Sequence, residues 1–286
     1  MVASPTVSVV TPSYNQVEYI EHTLDSVANQ RYPDVEHVVV DGESDDGTVD
    51  VLRERDVQWV SEPDDGQADA INKGFDMVNG DVIGWLNSDD VFFDEGVLDR
   101  VVRYFEATDA DVVYGDMALI DDESTVIKLH PVPAFDFEKL VRYCYIVQPS
   151  VFFRSDVIDT ERLDPELKYV MDYEFWLRLG REYRFTKVDD VLSGDRNHAE
   201  RKILHDREQM LREAAEIAGE YGRPSGWKLR MARAGDAVTS GLPRRLQAMA
   251  QTYRLHRDTP ELAFDGDLAP LPRMLGNIWR SNKEIL

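Results

Sequence analysis

The sequence has a single cysteine, Cys144, so no disulfide bond can form within the chain. It has no unbroken apolar run near the ~18 residues that a membrane-spanning helix needs. Residues 1–10 also lack the charged start and apolar centre of a signal peptide. Because 43% of the residues are apolar, the chain can bury a full core. These features predict a cytoplasmic, globular protein that folds without covalent cross-links.

Positive charge is scarce, with 32 Lys and Arg against 55 Asp and Glu and a formal net charge of −23. Such a surface repels a phosphate backbone, which argues against nucleic acid as a partner. A few metal ligands cannot account for so many acids. The excess is typical of a halophilic surface, where a salt-rich cytoplasm screens the repulsion between like charges.

The few positive charges are concentrated at the end of the chain. Residues 221–286 contain 11 Lys or Arg and 6 Asp or Glu, whereas residues 1–220 contain 21 and 49. This asymmetry predicts an acidic domain over 1–220 and a basic, helical C-terminal extension over 221–286. Around Trp227 and Arg230 apolar residues alternate with cations, which fits either peripheral contact with the inner face of an anionic membrane or a packed helical segment.

The first hundred residues alternate β-branched runs with helical patterns. Runs at 7–10, 35–40, 57–60 and 82–86 are predicted strands, and continuous apolar strands are typical of a sheet covered on both sides. The pattern predicts an α/β fold with a Rossmann-like, mostly parallel sheet and helices on both faces. The later predicted elements are helices at 95–105, 172–181 and 203–218, strands at 111–114, 151–153 and 184–188, and an irregular region up to residue 149.

Polar segments at residues 11–15, 41–46 and 87–90 follow three of the predicted strands. Ligands collect beyond the carboxyl ends of parallel strands, so these segments are expected to share one site. Asp41 can accept a hydrogen bond from a base N–H such as that of uracil, or it can lie in a solvated turn. The carboxylates of residues 87–90 can hold a hard divalent cation whose shell is completed by substrate phosphates, or they can cap the next helix.

Four segments in this order resemble the family 2 glycosyltransferases of the GT-A fold. They are VTPSYN at 10–15, VVDGESDDGT at 39–48, DVIGWLNSDD at 81–90 and MDYEFWLR at 171–178. The resemblance extends from about residue 7 to about residue 202. It implies that Asp41 contacts the base and that Asp89 is the metal-binding end of the family's D-x-D motif. The residues it implies around the nucleotide sugar are Thr11, Pro12, Ser13, Tyr14, Asp41, Asn72, Asn87 and Ser88.

The metal motif departs from the family pattern at its first position, where Asn87 replaces an acid. An amide can still hydrogen bond to a ribose hydroxyl, so the resemblance keeps a divalent cation, Mn²⁺ or Mg²⁺, at Asp89. Asp90 is a second candidate ligand. His198 lies where the family often closes its site with a basic loop, which implies that it ligates the metal or meets the diphosphate. As a loop histidine it also fits a simple solvated position.

Asp172 begins a predicted helix whose apolar stripe includes Trp176, so a rigid element holds its carboxylate. The resemblance makes Asp172 the catalytic base, although Met171 replaces the first acid of the family's acidic pair. The position also suits a helix N-cap, and the two roles are compatible. Glu174 is the next candidate base. Trp176 either packs in the core or stacks on an acceptor sugar.

These features predict a metal-dependent, inverting glycosyltransferase that moves a sugar from a nucleotide-diphosphate sugar to a hydroxyl of a glycan or lipid-linked acceptor. A UDP-sugar is the first candidate donor, and inversion is implied by the resemblance alone. One alternative is a nucleotidyltransferase, which usually has a Gly-rich basic loop after its first strand, whereas residues 11–16 contain no Gly, Lys or Arg. The other is a nucleotide-sugar binding module without catalysis, against which Asp89 and Asp172 argue.

Overall fold

Short valine-rich strands form the parallel half of the sheet in this computed structural model, which describes residues 4–198 and 207–222. β1 is central, with β2 and then β3 on one side and β4 on the other. The register of β1 and β2 runs from Val7 opposite Val35 to Ser13 opposite Asp41. The carboxyl ends of these strands therefore meet at one edge. The four strands are β1 (Val7–Ser13), β2 (Val35–Asp41), β3 (Gln58–Ser61) and β4 (Val82–Trp85).

Helices cover both faces of the parallel half, because alternate strand residues point to opposite sides. These helices are α1 (Ile20–Ala28), α2 (Thr48–Arg53) and α3 (Gln67–Met77). Val10 packs in one core cluster with Ile71 of α3. Val39 packs in a different cluster with Leu24 of α1 and Leu52 of α2. The predicted parallel sheet with helices on both faces is confirmed for this half.

The second half of the sheet mixes strand directions. Its strands are β5 (Val91–Phe92), β6 (Val112–Ile120), β7 (Val126–His130), β8 (Val151–Arg154) and β9 (Phe185–Arg196). β8 is antiparallel to both β4 and β6, whereas β6 and β9 are parallel. Within the described residues the sheet has nine strands in the order β3-β2-β1-β4-β8-β6-β9-β5, with β7 paired to β6. β8 thus joins the two halves.

One helix of the second half packs against the strand that leads to the predicted metal motif. The helices here are α4 (Val97–Ala107), α5 (Phe137–Arg142), α6 (Ser155–Thr160), α7 (Met171–Glu182) and α8 (Arg207–Glu220), with a 3-10 turn at Gln148–Ser150. α7 buries Phe175, Trp176 and Leu179 completely, as its apolar stripe predicts. The Trp176 ring centroid lies 6.5 Å from that of Trp85 at the end of β4.

The second half of the sheet contains more regular secondary structure than the sequence pattern predicts. The region predicted to be irregular up to residue 149 contains most of β6, all of β7 and α5. The last predicted strand ends at residue 188, but β9 continues to Arg196. Its later residues are small or polar, including Ser193 and Gly194, so they lack a β-branched run. Pairing with β6 makes them a strand.

The predicted basic extension lies outside the described residues beyond residue 222, and so do residues 1–3 and 199–206. The helix predicted at 203–218 is described from Arg207 to Glu220. In the described part of the chain, no helix is both long and apolar enough to cross a bilayer. Membrane contact through the extension stays a prediction.

Candidate active site

Asp41, at the end of β2, is fully buried and accepts three hydrogen bonds from the protein. The donors are the Ser44 amide at 2.9 Å, the Ser44 hydroxyl at 2.5 Å and the Ser61 hydroxyl at 2.7 Å. Ser61 is the last residue of β3, so Asp41 ties together the ends of two neighbouring strands. These bonds use most of the acceptor positions of the carboxylate. A contact between Asp41 and a base stays a prediction.

The loop after β1 is bonded to the loop after β2. The Asn15 amide donates to the Ser44 hydroxyl at 2.8 Å, and the Asp45 amide donates to Asn15 Oδ1 at 3.0 Å. Asn15 has a φ of 52°, in the left-handed region that asparagine tolerates better than most residues. The two loops therefore form one rigid rim at the edge of the sheet.

Tyr14 presents its ring on this rim, with 63% of the residue exposed. A Cβ atom at Gly42 would lie 3.3 Å from the Tyr14 ring and 2.5 Å from a carboxylate oxygen of Asp64. A side chain at residue 42 would therefore displace the Asp64 carboxylate, and glycine lets both groups approach the backbone. The structure thus leaves an aromatic face exposed beside Gly42, and its contact with a nucleotide stays a prediction.

Thr11, Pro12 and Ser13 are buried, because β1 continues three residues beyond its predicted end. Thr11 Oγ1 lies 3.0 Å from His37 Nε2, and burial lowers the pKa of His37 to about 4. A neutral imidazole suits this position between the sheet and its helices. These residues support the rim from within the sheet, and their contact with a nucleotide stays a prediction.

Asn72 of α3 is occupied by a distant segment of the chain. Its Nδ2 donates to the Leu163 carbonyl at 2.9 Å, and its Oδ1 accepts from the Leu163 amide at 3.0 Å. Both ends of the amide hold the backbone of residue 163, and contact of Asn72 with the nucleotide sugar stays a prediction. Its evident role is to fix the segment before α7 against α3.

Asn87 is also bonded at both ends of its amide. Oδ1 accepts from Gln67 Nε2 and from Trp85 Nε1, each at 2.9 Å. Nδ2 donates to Gln148 Oε1 at 3.0 Å and to Asp90 Oδ2 at 3.3 Å. The ribose contact predicted for Asn87 is not supported here, because the protein already uses the donors and acceptors that it would need.

The two neighbouring acids of the motif face different environments. Asp90 is only 3% exposed, and its Oδ1 accepts from the Arg196 amide at 3.0 Å. The Asp89 side chain is 24% exposed, and its Oδ2 lies 2.9 Å from His198 Nε2. The His198 ring packs on Tyr19 with centroids 4.8 Å apart. The structure therefore brings Asp89 and His198 together and turns Asp90 inward. Ser88, which was predicted to contact the nucleotide sugar, is buried.

The spacing of Asp89 and His198 fits a single divalent cation. Ligand atoms about 2.1 Å from an octahedral ion lie about 3 Å apart when they occupy adjacent positions. The two side-chain atoms are 2.9 Å apart in this structure, where they form a hydrogen bond. Within the described residues there is no group of three or more His, Cys, Asp or Glu that could hold a metal by itself. Two protein ligands suit Mg²⁺ or Mn²⁺, because water and substrate phosphates complete the shell of such ions.

Arg196, which the sequence analysis missed, holds the metal motif from behind. It is fully buried, and its Nε donates to the Asp89 carbonyl at 2.9 Å. Nη1 donates to the carbonyls of Asp121 and Asp122, each at 2.9 Å. The guanidinium also lies 5.2 Å from the Tyr19 ring centroid. A strand predicted to end at 188 gives no signal for this role, since only the length of β9 brings Arg196 to the site.

Asp172 lies in the first turn of α7, and burial raises the pKa of its carboxyl to about 6. The Tyr173 amide donates to Oδ1 at 2.7 Å, which lowers the pKa but offsets the burial only in part. A carboxylate with a pKa of about 6 is ionised at neutral pH and is still basic enough to accept a proton.

Glu174, the alternative base, is held in an ion-pair network. Both of its carboxylate oxygens accept from Arg178 at 2.9 Å, and Arg178 also pairs with Glu161. Glu174 therefore stabilises α7 and its surroundings. Trp176 is completely buried, so it packs in the core and does not present a face to a sugar. Asp172 is the stronger candidate base.

Comparison with known proteins identifies the family of this chain. The family model described as glycosyl transferase family 2 matches residues 8–161, which is more than half of the chain. An uncharacterized glycosyltransferase of Rickettsia prowazekii is 28% identical over 211 residues, covering 68% of this chain and 65% of that protein. The match thus spans slightly less than two thirds of that relative. A PGL/p-HBAD biosynthesis glycosyltransferase of Mycobacterium bovis is 32% identical over 187 residues, covering 62% of this chain and 70% of that protein.

Solved structures share the fold. S. aureus TarS in complex with UDP-GlcNAc has a TM-score of 0.59 and 18% identity, covering 74% of this chain and 66% of that chain. A mannosyltransferase from Pyrobaculum calidifontis in complex with GDP-Man and Mn²⁺ has a TM-score of 0.59 and 18% identity, covering 98% of this chain and 81% of that chain. The predicted GT-A fold is thereby confirmed. With the family match over residues 8–161, these findings show that the chain belongs to glycosyl transferase family 2.

Proposed function

We propose that this protein transfers a sugar from a nucleoside-diphosphate sugar to a hydroxyl of an acceptor, with inversion at the anomeric carbon. The observation that carries the proposal is Asp172, a carboxylate on the rigid first turn of α7 with a pKa suited to a general base. Family membership supports sugar transfer. Two structures of the same fold hold UDP-GlcNAc, and GDP-Man with Mn²⁺, which supports a nucleotide sugar as the donor.

The donor would lie along the edge of the parallel half. The exposed ring of Tyr14 offers a face for the base, and the buried network around Asp41 keeps the rim in place. Asp89 and His198 are the residues that we propose to hold Mn²⁺ or Mg²⁺. Such an ion, when bound, neutralises the charge that develops on the departing diphosphate.

The proposed base and the proposed metal ligand are joined through packed side chains. Trp176 lies one turn after Asp172 on α7, and its ring approaches that of Trp85. Trp85 in turn donates to Asn87, two residues before Asp89. This continuous contact supports a fixed distance between the two groups, which a positioned reaction needs.

In the proposed step Asp172 accepts the proton of the acceptor hydroxyl while the hydroxyl oxygen attacks the anomeric carbon. The bond from that carbon to the diphosphate oxygen breaks on the opposite face, and the diphosphate leaves with the electron pair. The products are the glycosylated acceptor, the nucleoside diphosphate and a protonated Asp172. We propose a glycan or lipid-linked acceptor, the latter if residues 221–286 contact a membrane.

The test is a panel of nucleotide sugars, including UDP-GlcNAc and GDP-Man, with and without Mn²⁺. A donor at 100 times its Kd stabilises the folded state by about 2.7 kcal/mol, or about 5 to 10 °C in Tm for a chain of this size. Hydrolysis or transfer that releases a nucleoside diphosphate supports the proposal. Binding without turnover would favour the binding module, and formation of a nucleotide sugar from a nucleoside triphosphate would favour a nucleotidyltransferase.

A further inference from the structure

The hydrogen bonds of Asn87 fix its orientation without ambiguity. The Trp85 indole can only donate, so it must face Oδ1 of Asn87 at 2.9 Å. The Trp85 carbonyl can only accept, so it faces Nε2 of Gln148 at 2.5 Å. Oε1 of Gln148 is then left to accept from Nδ2 of Asn87 at 3.0 Å. Asn87 and Gln148 therefore form an amide pair in which each donor has its acceptor.

This amide pair joins three elements around the metal motif. Trp85 ends β4, Gln67 is the first residue of α3, and Gln148 begins the 3-10 turn before β8. Asn87 also donates to Asp90, which the Arg196 amide holds from the other side. With Asp90 fixed inward, the residue before it, Asp89, is left at the surface beside His198. The pair thus determines which of the two acids is accessible.

An acid at position 87 cannot make the same bonds. A carboxylate has no donor, so it would place oxygen against Gln148 Oε1 and against the carboxylate of Asp90. Rotation of the Gln148 amide cannot solve this, because its oxygen would then meet the Trp85 carbonyl at 2.5 Å. The surroundings of residue 87 offer donors to one end of its side chain and acceptors to the other, which an amide satisfies and a carboxylate does not.

We propose that Asn87 and Gln148 are positioning residues, which hold the β4–β5 connection so that Asp89 faces outward, and that Asn87 itself binds neither ribose nor metal. This inference rests on the proposed function in that Asp89 is taken as the metal ligand. The inference also gives the departure from the D-x-D pattern a function, because the amide at residue 87 positions the metal ligand.

The first experiment uses metal-free protein and compares Asn87→Asp with Asn79→Asp. Asn79 is exposed, so its replacement gives the same change in charge and chemistry outside the pair. Asn87→Asp should lower Tm by about 5 to 10 °C, because two buried acceptors lose their donors. It should also speed amide hydrogen exchange in residues 85–91. Asn79→Asp should change neither readout.

The second experiment measures Mn²⁺ affinity of the same variants well below Tm. If residue 87 were simply a lost ligand, restoring the acid would tighten Mn²⁺ binding. Our proposal predicts the reverse, a loss of about 10- to 100-fold, as for other groups that orient a ligand. A lower Tm with unchanged Mn²⁺ affinity would mean a purely structural role and would overturn the proposal, as would tighter Mn²⁺ binding at the parental Tm.

A compensating change at residue 148 completes the test. A lysine can donate both to the Trp85 carbonyl and to a carboxylate at 87, so Gln148→Lys should lower Tm in the parent and raise it in Asn87→Asp. Gln148→Glu in the Asn87→Asp background should lower Tm further and serves as the opposite control. If the parent binds no Mn²⁺ even with a nucleoside diphosphate present to complete the shell, the metal assignment of the proposed function fails. Hydrogen exchange and the sign of the Gln148→Lys effect still decide whether the pair holds the motif.

Discussion

The two halves of the sheet use their polar residues differently. In the parallel half, the polar side chains predicted to bind the donor form hydrogen bonds to other segments of the protein. These residues are Asp41, Asn72 and Asn87. The second half supplies Asp172, whose pKa is raised by burial, and His198, which reaches across to Asp89. Most of the motif residues thus have a structural role, and we call them the frame. The frame positions the few residues suited to catalysis or metal binding.

The largest expected effect that tests this difference between the two halves is a loss of kcat on mutation of Asp172 in α7. Asp172→Asn should lower kcat by about 10² to 10⁴, the usual contribution of a positioned general base. The predicted N-cap role of Asp172 is wrong, because Val170 is the N-cap of α7. An asparagine can still accept the hydrogen bond from the Tyr173 amide, so Tm at neutral pH should not fall and donor affinity should hold. Steady-state kinetics with saturating donor measures the loss.

Glu174→Gln is the matched control, with the same acid-to-amide change two residues later. It breaks the pairing with Arg178, so it should lower Tm while kcat stays within about tenfold of the parent. If Glu174→Gln were the less active of the two enzymes, the assignment of the base would move to Glu174 and the proposed division between frame and chemistry would be lost.

The next effect separates the two adjacent acids of the motif. Asp89→Asn should weaken Mn²⁺ binding by more than about 100-fold, because even groups behind a ligand contribute 10- to 100-fold. Its Tm should stay close to that of the parent, since the side chain is 24% exposed and an amide can still hydrogen bond to His198 Nε2. Isothermal titration with Mn²⁺ and thermal unfolding measure the two quantities.

Asp90→Asn should behave in the opposite way. One oxygen of Asp90 accepts from the Arg196 amide and the other from Asn87 Nδ2, so an amide at residue 90 would set NH₂ against NH₂. We expect a loss of about 1 to 3 kcal/mol in unfolding free energy and a smaller change in Mn²⁺ affinity. Equal Mn²⁺ losses in both variants would show that the acids share the ion and that the inward position of Asp90 is not decisive.

The parallel half could be predicted from the sequence because its signals are local. Valine-rich runs predict β1 and β2, the apolar run at 82–86 predicts β4, and the family resemblance places the metal motif directly after β4. The choice between Asp89 and Asp90 could not be predicted, since it depends on Arg196, which lies 106 residues beyond Asp90. The roles of Gln148 and Leu163 were missed for the same reason, because each bonds to a residue more than 60 positions away.

The smallest expected effect is the contribution of Asp172 to the pH dependence of the unfolding free energy. Its folded pKa of about 6 lies above the ordinary value of 3.8. The folded state therefore binds this proton more tightly than the unfolded state. The contribution of Asp172 to the unfolding free energy is most favourable below pH 4, falls as pH rises toward 6, and is constant above that.

Comparison of the parent with Asp172→Asn removes the titration of all shared acids. The unfolding free energy of the variant minus that of the parent should rise by about 2 kcal/mol between about pH 4.5 and pH 7.5, since each pKa unit corresponds to about 1.4 kcal/mol. Urea unfolding at several pH values measures this difference, and kcat/KM of the parent should fall below about pH 6 as the same carboxylate is protonated. A difference independent of pH would mean that water solvates Asp172 as it does an ordinary surface acid. The contrast between hydrogen-bonded motif residues and a carboxylate with a raised pKa would then fail, even if Asp172 proved essential for transfer.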